Sequence, residues 1–161
     1  MGKTKDRKKI TVYIMLGVML ASAMFGTVKK AEAGSMGGFP AQNTSDYITR
    51  YTRALQVMLV SYNTTTRAYI IGSGGADGSF GPATKNAVEY FQQHEGLSVD
   101  GNCGPLTWSK FYTKLISLGS DGSFVYFKGP YPYTGIYCMR HTPNYSMTWY
   151  TFWEDDWYYV D

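Results

Sequence analysis

The sequence predicts a mainly α-helical fold with a small β appendage: a three-helix bundle followed by short antiparallel strands. Three observations predict it. Apolar residues recur at helical spacing in three stretches between residues 46 and 118. A turn motif that launches a helix occurs twice in the same region. From Gly119 onward the helical period gives way to aromatic, β-prone runs separated by turn residues.

The first stretch, residues 46–62, carries Ile48, Tyr51, Leu55, Met58, Leu59 and Tyr62 on one helical face. Ser45 is the expected N-cap. Asn63 to Thr66 breaks the pattern, Arg67-Ala68-Tyr69-Ile70-Ile71 reads as a short β-prone run, and Gly72 to Gly75 reads as a loop. The second helix is expected over Pro82 to Glu95, with Ala87, Val88 and Phe91 inward and Gly96 as its stop. Leu97 and Val99 are expected to tie down the link that follows. The third helix is expected over Pro105 to Leu118, with Trp108, Phe111, Leu115 and Tyr112 inward and Gly119 as its stop. None of these helices buries its apolar stripe alone, so the three must pack together.

The repeated motif reads D-G-x-x-G-P-x-T. Asp77, Gly78, Gly81 and Pro82 belong to the first copy; Asp100, Gly101, Gly104 and Pro105 belong to the second. Asp-Gly makes a tight turn, with the glycine free to take a positive φ. The fourth residue, Phe80 or Cys103, points inward. The second glycine lets the chain pass close and caps the helix, and proline at the first helical position forfeits no hydrogen bond.

Composition and charge narrow the function. The chain has 161 residues, of which 17% are aromatic and 17% charged, and this excludes a wholly disordered chain. Two cysteines exclude a Cys-only zinc site and a multi-disulfide scaffold. Of fifteen basic residues, seven fall in the first 33 positions with two of the twelve acids; the rest of the chain therefore carries eight basic and ten acidic residues, a net charge of about −2. That remainder has no Lys/Arg cluster to form a positive patch, so nucleic acid is not an expected partner.

The basic start, the apolar run from Ile10 to Val28 and the small residues Ala31 and Ala33 have the layout of a secretory signal peptide over residues 1–33. Cleavage is expected between Ala33 and Gly34. The alternative is a retained anchor, which would make the leader the only membrane contact. Residues 34–45 read as a flexible linker.

Taken together, Ala54-Leu55-Gln56 with Leu59, the two D-G-x-x-G-P-x-T motifs, Ala87-Val88-x-x-Phe91-Gln92 and Gly96-Leu97-x-Val99 resemble the small three-helix peptidoglycan-binding domain. The resemblance covers Tyr51 to Leu118, within a domain drawn over residues 46–118. It implies a noncatalytic module that holds the glycan strand or stem peptide of the bacterial cell wall, without a cofactor or metal. Roughly ten residues around Thr64 to Gly75 exceed the family's usual short link, and a hairpin over the groove is one form they could take.

Within that frame, Asp77 and Asp100 are expected to accept turn N–H groups. Gln56 and Gln92 are expected to bond local backbone, and Phe91 and Trp108 to lie in the core. Ligand contacts are expected at Arg67, Tyr69, Asn86, Tyr90 and Gln93, with Arg67 pairing a ligand carboxylate.

Residues 119–161 hold 14 of the chain's 27 aromatic residues, and two to four short strands are expected there. These rings suit stacking on sugar faces, packing on each other, or docking a protein partner. Cys103 and Cys138 are expected to pair in an exported chain, which would contribute roughly 3–4 kcal/mol by loop closure; the alternative is two separate buried thiols.

Candidates for catalysis are few. His94 and His141 are the only histidines. Cys138 lies three residues before His141, and Glu154-Asp155-Asp156 are adjacent rather than placed to flank a bond. The expectation is a secreted, wall-associated binding protein and not an enzyme. Its rivals are a protein-docking module and a small cell-wall hydrolase.

Overall fold

A computed structural model of the chain describes residues 39–45, 48–121, 124–131, 138–141, 149–153 and 156–159. The leader, its Ala33/Gly34 cleavage site and the first part of the linker lie outside them.

Among the described residues, four helices precede the strands: α1 Arg50–Val60, α2 Thr64–Gly72, α3 Pro82–His94 and α4 Pro105–Lys114. Five strands follow: β1 Ile116–Ser120, β2 Phe124–Lys128, β3 Cys138–His141, β4 Trp149–Trp153 and β5 Asp156–Tyr159.

The first helix starts later than the apolar spacing suggests. Its N-cap is Thr49, not Ser45: Thr49 is extended and its Oγ1 accepts the Thr52 N–H at 2.9 Å. Ile48 therefore precedes the helix and is 73% exposed instead of facing inward. Every residue from Ala54 to Val60 is buried. A stripe would suffice for a helix packed on one side, but α1 is flanked by α2, α3 and the backbone of β4.

The segment after α1 is a helix, where the sequence suggested a β-prone run and a hairpin. Asn63, read as a pattern breaker, is the N-cap of α2, and its Oδ1 accepts the Thr66 N–H at 2.9 Å. The Thr66 hydroxyl donates back to the Leu59 carbonyl at 2.6 Å, which fixes α2 against the last turn of α1. Ile70, fully enclosed in the core, supplies its apolar anchor. Tertiary packing overrides the β preference of the Tyr-Ile-Ile run.

Both repeated turns form, and a buried glutamine holds each one. Gln56 on α1 donates from Nε2 to Asp77 Oδ1 at 2.9 Å, the Ser79 carbonyl at 3.0 Å and Thr84 Oγ1 at 3.1 Å. Its Oε1 accepts the Gly78 N–H at 2.7 Å. Gln92 on α3 repeats the pattern with Asp100, Asn102, Thr107 and Gly101. Each aspartate also accepts the N–H two residues on, at 2.8 Å, as the turn reading requires. Gly78 and Gly101 sit at φ +84° and +70°, where a side chain is strained. Gly81 and Gly104 are extended N-caps with no atom near a would-be Cβ, so a close approach is not their role.

Helix α3 ends as expected. Gly96 at φ +69° lets its N–H reach the Gln93 carbonyl while the Leu97 N–H reaches that of Gln92. Leu97 packs on the core, but Val99 is 54% exposed and ties nothing down.

Helix α4 stops at Lys114, short of Leu118. Leu115 turns extended and the chain passes directly into β1, which pairs with β2. The register slips between Ser117 and Gly119, so Leu118 is the extra residue of a bulge. Gly119, at φ +111°, serves that bulge and does not stop a helix. β1 thus begins before the point where the appendage was expected to start.

The strands form one antiparallel sheet in sequence order, one strand more than the upper expectation. Phe127 on β2 is 3% exposed and belongs to the same core as Leu55, Phe91 and Trp108, so sheet and helices share one interior. Its ring lies 6.4 Å from that of Tyr112 on α4. At the end of β2, Gly129 lies against Ser61 so closely that a Cβ would collide with its backbone and side chain. The Tyr131 N–H then donates to the Ser61 carbonyl at 3.0 Å.

The end of the linker is fixed rather than flexible. Phe39 is buried edge-on against Trp108, with ring centres 5.1 Å apart, and against Tyr51 at 5.4 Å. The Trp108 indole donates to the Pro40 carbonyl, and Gln42 and Cys103 exchange two backbone hydrogen bonds.

Cys103 is a free and fully buried thiol, so the expected bridge from Cys103 to Cys138 is not formed. Its side chain fills the helical core, and burial pushes its pKa well above the ordinary value. The Cys138 side chain lies outside what the structure describes.

Candidate binding groove

Helix α3 buries Ala87, Val88 and Phe91, and this choice fixes what it turns outward. Asn86, Glu89, Tyr90 and Gln93 stand at helical offsets of three, four and seven, which is one face. Helix α2 packs beside α3 through Ile70. Its next-door residue Tyr69, 39% exposed, reaches the same opening. Val99, from the loop after α3, completes the lining.

The result is an open groove of about 280 Å³ lined by Tyr69, Asn86, Glu89, Tyr90, Gln93 and Val99. It brings together four of the five expected ligand residues: Tyr69, Asn86, Tyr90 and Gln93. The insertion does not cover this groove; as helix α2 it builds one wall of it. Arg67 is not in the lining. Its guanidinium lies over the Tyr131 ring, 5.8 Å from the centre, and joins α2 to the segment after β2.

Two lining residues escaped the sequence list. Glu89 was legible in principle, since it falls on the helical face defined by Asn86 and Gln93. Val99 carried no such signal, because its place depends on how the loop after Gly96 folds back.

On the opposite, core-facing side of α3, Phe91 stacks on Phe111 with ring centres 3.7 Å apart and planes 9° from parallel. At the end of α3, Glu95 accepts from Lys114 at 2.6 Å, faces Lys110 at 3.6 Å and accepts the Tyr62 hydroxyl. Burial alone would raise the Glu95 pKa, but these donors and cations outweigh it and hold the carboxyl below its ordinary value. Burial first, and then the bond to Glu95, push the Tyr62 phenol up.

The lining offers groups suited to binding. Two phenol rings offer flat apolar faces with polar tips, two amides offer paired donors and acceptors, and one carboxylate offers charge. His94 packs near the rings of Tyr62 and Tyr90, at 5.9 and 6.0 Å. His141 lies in β3 opposite Phe124, not in a loop. Among the described residues no three His, Cys, Asp or Glu cluster as metal ligands would. Asp156 opens β5, whereas Glu154 and Asp155 lie outside the described residues.

Comparison with known proteins covers the helical part of the chain. Residues 52–111 match the family described as "Putative peptidoglycan binding domain". A 60-residue segment is 45% identical to the zinc D-Ala-D-Ala carboxypeptidase of Streptomyces albus G, covering 37% of this chain and 22% of that protein. A 34-residue segment is 59% identical to an uncharacterized protein in the bpoA1 3' region of Kitasatospora aureofaciens, covering 21% of this chain and 29% of that one. The chain thus spans less than a third of either relative's length. No solved structure matches the chain significantly. The match takes in most of α1, α2, both glutamine-held turns, α3 and α4 as far as Phe111, so it is the helical module that is similar to the peptidoglycan-binding domain family.

Proposed function

We propose that this chain is an exported, noncatalytic protein that holds bacterial cell-wall peptidoglycan in the groove between α2 and α3. One observation carries the reading: four side chains chosen for exposure and chemistry meet in one groove, within a module that matches a peptidoglycan-binding family. The mechanism is capture by shape. Tyr69 and Tyr90 stack on sugar or peptide faces, and Asn86 and Gln93 bond amide groups of the polymer, with no covalent step.

The acids of the matched segment support the noncatalytic part. Asp77 and Asp100 are spent on turns, and Glu95 on two lysines. The fourth acid, Glu89, keeps only a weak, exposed contact with Lys85 at 3.6 Å and has no second carboxylate beside it in the groove lining. The leader layout, the family match and the wall-enzyme relative together support a place at the cell wall.

The test is retention on purified insoluble peptidoglycan. The full chain is expected to sediment with the polymer, and Tyr90→Ala or Asn86→Ala is expected to cut retention several-fold while the helical circular dichroism stays unchanged. Equal retention of both variants would move binding away from the groove. Absence of retention by the unmodified chain would favour protein docking.

A further inference from the structure

We infer that the groove selects a segment of its ligand bearing a primary ammonium group, and does not take a carboxylate. The inference rests on the peptidoglycan reading for its polymer and on the groove's own charge for its chemistry. Among the lining residues the one charged side chain is Glu89. Arg67, the cation that sequence reasoning assigned to a ligand carboxylate, is instead held over Tyr131. A ligand carboxylate would therefore meet the Glu89 carboxylate, with no lining cation to offset the repulsion.

Lys85 is the nearest cation, one turn before Glu89 on α3. Its stem is folded over the second turn, where a Cβ on Gly101 would strike its Cγ and Cε. It reaches Glu89 only at 3.6 Å, longer than a direct hydrogen bond, and both side chains are more than a third exposed. Pairs of this kind contribute little, so a ligand ammonium can take Lys85's place at Glu89. Tyr69 and Tyr90 reinforce the preference. Their ring faces attract a cation as well as a sugar face, which a carboxylate cannot exploit. Asn86 and Gln93 are left to bond neighbouring amides or hydroxyls.

Two parts of a wall polymer offer this chemistry: an amino side chain of the stem peptide, and the free amine of a deacetylated amino sugar. The experiment separates them. Isotope-labelled full-length chain is titrated with Nα-acetyl-lysine amide and with glucosamine, and with the Nε-acetylated and N-acetylated forms as controls. Amide shifts at Asn86, Glu89 and Tyr90 are expected for at least one free amine, at least five-fold weaker for its acetylated form, and at least five-fold weaker in Glu89→Gln. Response to the lysine probe assigns the peptide source; response to glucosamine assigns the sugar. In parallel, walls with their amines capped by acetic anhydride are expected to retain several-fold less protein than untreated walls.

Groove shifts from neither amine would overturn the inference, as would equal retention on capped and untreated walls. The latter would leave the wall reading standing. If untreated walls retain nothing but the amines shift the groove through Glu89, the wall reading falls and the ammonium preference stands.

Discussion

Gln92 and Asp100 exchange two hydrogen bonds: the glutamine Nε2 donates to Asp100 Oδ1 at 2.8 Å, and the Asp100 N–H donates to Gln92 Oε1 at 3.1 Å. The same glutamine also takes the Gly101 N–H and donates to Asn102 and Thr107. One side chain thus closes the turn that starts α4, as Gln56 closes the turn that starts α3. Gln92→Leu keeps the volume but strands these partners in a buried position. The expected loss is about 2–3 kcal/mol by urea denaturation. A loss under about 0.5 kcal/mol would mean that the turn holds without its glutamine.

Glu95 gives the protein an acid-sensitive contact. Its pKa is held below the ordinary value near 4.5, so its stabilisation is present above that pH and fades as pH falls through the lower folded value. The gap in stability between the unmodified chain and Glu95→Gln should be steady near pH 7 and shrink below about pH 4.5. A gap that widens on acidification would contradict the assignment of Lys110 and Lys114 as its partners.

Gly129 and Gly72 should answer oppositely to alanine. A Cβ on Gly129 collides with Ser61 at the end of α1, and Ser61 is itself buried and bonded to Met58 and Tyr131. The expected cost of Gly129→Ala is about 1–3 kcal/mol. Gly72 ends α2 with nothing near its would-be Cβ, and Gly72→Ala should be neutral or stabilising by up to about 0.5 kcal/mol. Thermal denaturation of the two variants side by side checks both signs.

What was legible in the sequence was local. The two Asp-Gly turns, the proline-led starts of α3 and α4, the Gly96 stop and the inward faces of both helices depend on near neighbours, and all appear as read. What failed depended on distant partners. The Tyr-Ile-Ile run is helical because Asn63 caps it and Thr66 and Ile70 dock it on the core, although an Asn-x-x-Thr cap was there to be seen. Residues 116–118 leave α4 because β2 pairs with them, a partner that helical spacing cannot reveal. For the groove, side-chain exposure on α3 was readable, whereas the place of Arg67 over the ring of Tyr131, 64 positions away in the chain, was not.

The Phe39 strap follows the same logic and can be tested directly. Composition made residues 34–45 look like a linker, yet Phe39 is 6% exposed between Tyr51 and Trp108, and the backbone behind it is pinned at Gln42. Phe39→Ala should empty a site in the core and cost about 3 kcal/mol or somewhat more. Phe39→Leu, which refills most of the space, should cost clearly less. Ala41, exposed in the same segment, should tolerate serine within about 0.5 kcal/mol. If all three variants unfold at the same urea concentration as the parent, the strap is no part of the folded core and the helical module stands without it.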